Sequence, residues 1–181
     1  MLNYIFDQYG TLIDIHTDET KYTLWRGLAA IYRSYGADYA PEELNETYHR
    51  FALNEEMRLA AISQLDYPEI DLGRVFLRLL IESPRVHPSE ELVTEDMTAA
   101  QLRQAVREKG EEYYLDSLCG GRFASMIANI FRPLSRDRLQ PYPGTRRTLE
   151  ELKARGVGIY LLSNAQKLFT VAELALTATR K

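Results

Sequence analysis

The fold is decided by the stretch Leu2-Asn3-Tyr4-Ile5-Phe6-Asp7-Gln8-Tyr9-Gly10-Thr11-Leu12-Ile13-Asp14. Its first five residues are mostly apolar and β-forming, and they run directly into the carboxylate of Asp7 and a Gly-Thr turn. A short apolar run bounded by such a turn predicts a buried strand of a parallel sheet. Ligands of open parallel sheets bind beyond the carboxyl ends of the strands, so Asp7 is a candidate nucleophile or metal ligand. Ordinary turn chemistry would also account for an Asp at this point.

A second apolar run lies near the other end of the chain. The segment 141–144, Pro-Tyr-Pro-Gly, predicts a rigid turn, and residues 145–155 predict a helix that Gly156 ends. Residues 157–162 then predict a second buried strand.

Two polar residues, Ser163 and Asn164, follow that strand. Parallel strands end at the same edge of a sheet, so we expect Asp7 and Ser163 at a common edge. Hydroxyl and amide donors beside a nucleophilic carboxylate suit an anionic group that is attacked there.

The middle of the chain predicts helices only. The apolar spacing and the capping signals indicate helices over about 17–35, from Pro41 to about 62, from 72 to before Pro84, over 95–118, and from 123 to before Pro133. Their apolar stripes are expected to form a core rather than a ligand site. His16, beside the Asp7 turn, is expected in a loop.

Composition excludes several classes of protein. The 181 residues are 45% hydrophobic and 27% charged, as in soluble globular proteins. The net charge of −4 and the lack of a basic cluster disfavour nucleic acid and anionic membranes as partners. The single cysteine, Cys119, rules out an intrachain disulfide and provides no zinc-ligand spacing. Without a signal peptide or a transmembrane stretch, a cytoplasmic protein is expected.

Together the two motifs resemble those of the haloacid dehalogenase superfamily of hydrolases. Asp7-Gln8-Tyr9-Gly10-Thr11-Leu12 is similar to the first motif of that family and Leu161-Leu162-Ser163-Asn164 to the second. The likeness extends to about Phe169 and implies an α/β fold, a partial Rossmann-like parallel sheet with a large helical cap insertion. Residues 1–15 and 134–181 would form the core, and residues 16–133 the cap.

The resemblance also implies roles for site residues. Asp7 would be the nucleophile that forms an aspartyl intermediate, and Thr11 and Ser163 would hold the transferring group. Tyr9, Gly10 and Asn164 would contact a small anionic substrate. In phosphatase members, Mg²⁺ would bind the Asp7 carboxylate and the Tyr9 backbone carbonyl; dehalogenases would need no metal.

Tyr9 departs from the phosphatase pattern, in which a second aspartate protonates the leaving oxygen. A phenol with a pKa of about 10 is a poor acid at neutral pH. A small phosphorylated metabolite with a good leaving group, an acyl phosphate or phosphoanhydride, is therefore favoured over an alkyl phosphate. A 2-haloacid is the alternative substrate, with Arg26 and Arg33 as candidates for the arginine that binds halide in dehalogenases.

The chain stops before the lysine and the acidic pair that follow the second motif in this family. Lys167 lies too close to Ser163 to be that lysine, and the tail 177–181 is unlike the family. We therefore expect very low turnover from this shortened chain, or a non-catalytic remnant that binds only anions or a partner. The same shortening would leave one edge of the Asp7 strand unpaired, through which a homodimer could form.

Overall fold

The computed structural model describes residues 2–66, 68–163 and 165–179. The chain divides into two compact units. The first contains residues 1–18 and 135–181, and the second contains residues 19–134. Each unit is described separately below.

The first unit contains two pairs of strands. Strands β1 (Asn3–Phe6) and β6 (Gly158–Leu161) are parallel, with Asn3 opposite Gly158 and Phe6 opposite Leu161. Strands β2 (Ile13–Thr17) and β5 (Arg136–Pro141) are antiparallel. The mixed α/β fold with a small parallel sheet confirms the predicted fold class.

The expected burial of β1 and β6 is wrong. The side chain of Ile5 is 66% exposed and that of Leu162, just beyond β6, is 70% exposed. Among the described residues this sheet has only two strands. Each strand has one neighbour, so the outer edges and most of the apolar side chains stay in contact with solvent.

Two helices complete the first unit. Helix α7 (Thr145–Ala154) packs against β6 and ends one residue earlier than predicted, and Gly156 beyond it has the positive φ of +70° that favours glycine. Its apolar residues Leu149 and Leu152 are half-buried. Helix α8 (Lys167–Thr179) packs against β5.

The second unit is almost entirely helical. Its elements are α1 (Tyr22–Ser34), β3 (Ala37–Asp38), α2 (Pro41–Ser63), α3 (Leu72–Ile81), β4 (Arg85–Val86), α4 (Ala99–Lys109), α5 (Glu111–Leu118) and α6 (Arg122–Ser135), whose last residue belongs to the first unit. Strands β3 and β4 form a short antiparallel pair that the sequence did not predict.

Three predicted helix boundaries are wrong. The first helix begins at Tyr22 rather than 17, because residues 13–17 form β2, and this also places His16 in a strand. The helix expected over 95–118 is two helices, since Gly110 adopts φ +88° between them. The last helix continues through Pro133 to residue 135.

Aromatic side chains form the core of the second unit. Trp25, Tyr48, Phe76 and Phe131 are buried and pack with ring centroids 5.1 to 6.2 Å apart, a typical spacing for aromatic pairs. These stripes are core, as expected. Ile62, near the end of α2, is an exception and is exposed.

No helix among the described residues combines the length and the apolar character needed to cross a membrane.

Candidate active site

Asp7 lies immediately after β1 and is exposed. One of its carboxylate oxygens accepts a hydrogen bond of 2.7 Å from the Gln8 N–H. The backbone then turns tightly, since Leu12 and Ile13 N–H both donate to the Gln8 carbonyl at 3.0 and 2.9 Å. Gly10 occupies the left-handed region at φ +73°. We call residues 7–13 the Asp7 loop.

Ser163 follows the neighbouring parallel strand. The N–H of Leu162 donates to the carbonyl of Phe6 at 2.9 Å, so the pairing continues to the last residue before Asp7. Asp7 and Ser163 therefore follow the carboxyl ends of two hydrogen-bonded strands. The Ser163 hydroxyl is half-buried and accepts a 3.4 Å hydrogen bond from the Ala165 N–H. The predicted site residue Asn164 lies outside the described residues.

A small cavity adjoins the Asp7 loop. It measures about 200 Å³ and is lined by Thr11, by the turn 142–144, and by Thr145 and Thr148 of α7. The Thr145 hydroxyl donates to the Leu12 carbonyl at 3.2 Å and so joins α7 to the loop. Phe6, Leu12 and Leu149 also line the cavity, whereas Asp7 and Ser163 do not.

Tyr9 is anchored to a buried carboxylate. Its hydroxyl donates to one carboxylate oxygen of Glu173 on α8. The other oxygen of Glu173 lies 3.0 Å from a guanidinium nitrogen of Arg136 on β5. Glu173 is only 1% exposed, and we call these three residues the Tyr9 anchor.

Sequence reasoning did not find Glu173 or Arg136. The two residues lie 164 and 127 positions from Tyr9, and no local motif connects them. The available signal was Glu173 itself, a lone acid in the apolar run Leu168–Leu176 of α8, because a buried acid needs a partner.

The metal-ligating groups at the site are few. Among the described residues, no three acidic, histidine or cysteine side chains gather into a metal-binding group. The Asp7 carboxylate and the Tyr9 carbonyl are hard oxygen donors, which fit Mg²⁺ because this ion commonly binds one or two carboxylates and keeps several waters.

The other residues that the sequence singled out are Arg26, Arg33 and His16. Arg26 is exposed and Arg33 pairs with Asp38 at 3.3 Å, both within the second unit. His16 lies 3.2 Å from Asp137 across β2 and β5.

Comparison with known proteins adds one decisive observation. The model of a hydrolase family, the haloacid dehalogenase-like hydrolases, matches residues 2–179. The chain belongs to this family. No curated protein and no solved structure gives a significant match.

The extent of the family match corrects one expectation. The likeness was expected to end near Phe169, and residues 177–181 were thought unlike the family. The match to the haloacid dehalogenase-like family continues to residue 179 and therefore includes all of α8, the helix that carries Glu173.

Proposed function

We propose that this hydrolase uses Asp7 as a nucleophile on a small anionic substrate. The observation that carries the proposal is the pairing of β1 with β6, because it brings the residues after both strands to one sheet edge. The Asp7 carboxylate attacks the substrate, and the bond to the leaving group breaks as that group departs with the bonding electrons. Water then hydrolyses the aspartyl intermediate, which releases the product and regenerates the Asp7 carboxylate. Thr11 and Ser163 hold the transferring group, and Gly10 allows the tight turn that follows Asp7.

The Tyr9 anchor supports a substrate whose leaving group needs no proton. The phenol already donates to Glu173, and a phenol is a weak acid at neutral pH. An acyl phosphate or a phosphoanhydride meets this condition, whereas an alkyl phosphate does not.

Mg²⁺ would be held by the Asp7 carboxylate and the Tyr9 backbone carbonyl if the substrate is a phosphate. The ion offsets charge on the phosphoryl oxygens when it is bound. The chain's own contribution is to hold these two oxygens in place and to present the Asp7 carboxylate to the substrate.

The two compact units support a division into core and cap. We propose, as the sequence predicts, that residues 1–15 and 134–181 form the hydrolase core and that residues 16–133 form the helical cap. The bounds of the two compact units differ from these by one to three residues. The second unit has its own aromatic core. In sequence it lies between the two segments of the first unit, and a cap inserted between the two motifs has this position.

A 2-haloacid is the second candidate substrate. Tyr9 favours it, because halide leaves without a proton and the 2-haloacid dehalogenases resemble this sequence at that position. This reaction needs no metal.

Substrate assays separate these functions. We expect very slow phosphate release from acetyl phosphate or pyrophosphate that requires Mg²⁺, and that Asp7→Asn abolishes. Asp7-dependent halide release from 2-chloropropionate would support the alternative. Thr23→Ser, an exposed position of α1, is the control. Phosphate binding without any Asp7-dependent turnover would indicate a non-catalytic, anion-binding chain.

Turnover in ¹⁸O-labelled water distinguishes the two chemistries further. Water attacks phosphorus in an aspartyl phosphate, so the label appears in the released phosphate. Water attacks the carboxyl carbon of an aspartyl ester formed from a haloacid, so the label appears in Asp7 itself.

We also propose that the exposed β1 edge mediates a homodimer. Residues 3–6 carry no charge, and edge strands that stay monomeric usually carry Lys, Pro or a bulge.

A further inference from the structure

We propose that Glu173 is a positioning residue for the candidate active site: through the Tyr9 hydroxyl it fixes the Asp7 loop, and Arg136 fixes Glu173. This inference rests on the proposed function for its effect on catalysis, but its effect on the loop can be measured without any turnover.

The two carboxylate oxygens of Glu173 contact different partners. One oxygen accepts from the Tyr9 hydroxyl, and the other pairs with Arg136 at 3.0 Å. The side chain of Glu173 is 2% exposed and that of Arg136 is 15% exposed. Water therefore replaces neither partner easily, and hydrogen bonds to a charged group are the strong ones.

The anchor joins three segments that are distant in sequence. Tyr9 belongs to the Asp7 loop, Arg136 begins β5, and Glu173 lies on α8. Strand β5 is itself fixed by its antiparallel pairing with β2, which starts at the end of the loop. Glu173 is thus attached to a rigid frame rather than to a free helix.

The anchor acts on the residue whose backbone carbonyl is the proposed metal ligand. Backbone hydrogen bonds hold residues 8, 10, 12 and 13 of the loop. Tyr9 has the longest side chain of the loop, and its tip is held by Glu173. The side-chain contact adds to the backbone bridge between Tyr9 and Ile13, and we infer that it further restricts the segment between Asp7 and Gly10.

The competing explanation is that Glu173 only holds α8 against β5 through Arg136. In that case Glu173 would matter only through Arg136, and the Tyr9 hydroxyl could be removed without effect. Tyr9→Phe distinguishes the two, because it keeps the Arg136–Glu173 pair and the aromatic ring.

The test is amide hydrogen exchange of the full chain, measured at Gly10, Leu12 and Ile13, whose N–H groups are hydrogen-bonded within the loop. The variants are Tyr9→Phe, Glu173→Gln, Glu173→Ala and the double variant Tyr9→Phe/Glu173→Gln. Two controls match them chemically: Tyr160→Phe, an exposed phenol on β6, and Glu151→Gln, an exposed acid on α7.

We expect exchange of the three amides to rise about tenfold in Tyr9→Phe, the order expected for one hydrogen bond to a charged group. Glu173→Gln should have a smaller effect than Glu173→Ala, because the amide oxygen still accepts. The double variant should have less than the sum of the two single effects, since both changes weaken the Tyr9–Glu173 contact. Unchanged exchange in Tyr9→Phe, or additive effects in the double variant, would overturn the proposal.

Activity provides a separate readout. If Asp7-dependent hydrolysis is found, Tyr9→Phe should raise the Mg²⁺ concentration needed for half-maximal rate, and the two controls should leave it unchanged. An unchanged Mg²⁺ requirement in Tyr9→Phe would overturn the proposal that the Tyr9 anchor affects catalysis. If no Asp7-dependent hydrolysis is found, the proposed function fails, and the exchange experiment still decides whether Glu173 orders the loop.

Discussion

Gly10 is the residue of the Asp7 loop whose backbone only glycine adopts without strain. Its φ is +73°, and a Cβ placed on it would meet no atom within 4 Å. Gly10→Ala therefore adds strain but no clash, and we expect a loss of about 1 kcal/mol in the free energy of unfolding of the first unit.

Gly156→Ala is the matched control, because Gly156 has φ +70° and equally open space but lies outside the Asp7 loop. Urea unfolding should show similar losses for both variants, whereas hydrolysis should fall only in Gly10→Ala. Equal activity in the two variants would show that the loop conformation does not matter for the reaction.

Glu111 on α5 is a carboxylate whose ionisation opposes folding. Burial raises the pKa of Glu111 from 4.5 to about 7. The nearby Arg78, 3.4 Å away, lowers this pKa, whereas Glu82 and Glu112 raise it further. The folded chain thus holds a proton that the unfolded chain loses near 4.5. The free energy of unfolding should fall as the pH rises between these two values.

Glu111→Gln should flatten this part of the stability curve and raise stability above about pH 7. Thermal unfolding across the range measures it, with the exposed Glu90→Gln as control. A slope that is unchanged in Glu111→Gln would assign the pH dependence to another group.

At the scale of elements, a buried arginine connects α2, α3 and α5. Arg74 is 5% exposed, and its Nε lies 2.8 Å from Glu55, which is 7% exposed, without the alignment of a hydrogen bond. Its other nitrogens reach Glu112 at 2.5 Å and Asp116. Breaking a buried ion pair leaves the remaining charge without compensation.

Arg74→Met should therefore destabilise the second unit by about 3 kcal/mol, near the lower end for a broken buried pair, because Arg58 still contacts Glu55 at 2.6 Å. The double variant Arg74→Met/Glu55→Leu should recover much of the loss. Arg33→Met removes an exposed pair and should change stability by less than about 0.5 kcal/mol. Denaturant titration of the three variants checks this, and a double variant no more stable than Arg74→Met would contradict it.

The elements also show what sequence could and could not predict. Helices α2 and α3 lie close to the bounds predicted from Pro41 and from the apolar spacing, because both signals are local. Strand β2 was missed because its partner β5 lies more than a hundred residues away, and such pairing leaves no local pattern. The parallel β1–β6 pair was predicted, but not its exposure, which depends on what covers the sheet. The Tyr9 anchor was not predicted either, because Arg136 and Glu173 also lie more than a hundred residues from Tyr9.

At the scale of the whole molecule, the exposed β1–β6 sheet is the feature with the clearest consequence. Ile5, Tyr160 and Leu162 form exposed apolar surface, and no other described strand pairs with the outer edge of β1. Such an edge promotes association, and a lysine on it prevents pairing.

Wild-type protein should show a mass that rises with concentration in light scattering and should bind a hydrophobic dye. Ile5→Lys should reduce both, whereas Met57→Lys, at an equally exposed apolar position on α2, should not. A wild-type monomer that binds no dye at any concentration would contradict the proposed homodimer.

The most direct measurement is a search for the covalent intermediate on Asp7. The full chain is mixed with substrate, quenched in acid within the first turnovers and digested for peptide mass spectrometry. The account predicts an adduct on the peptide that contains Asp7, at this residue alone, and its loss in Asp7→Asn together with turnover. Turnover without an adduct on Asp7, or turnover that survives Asp7→Asn, would contradict it.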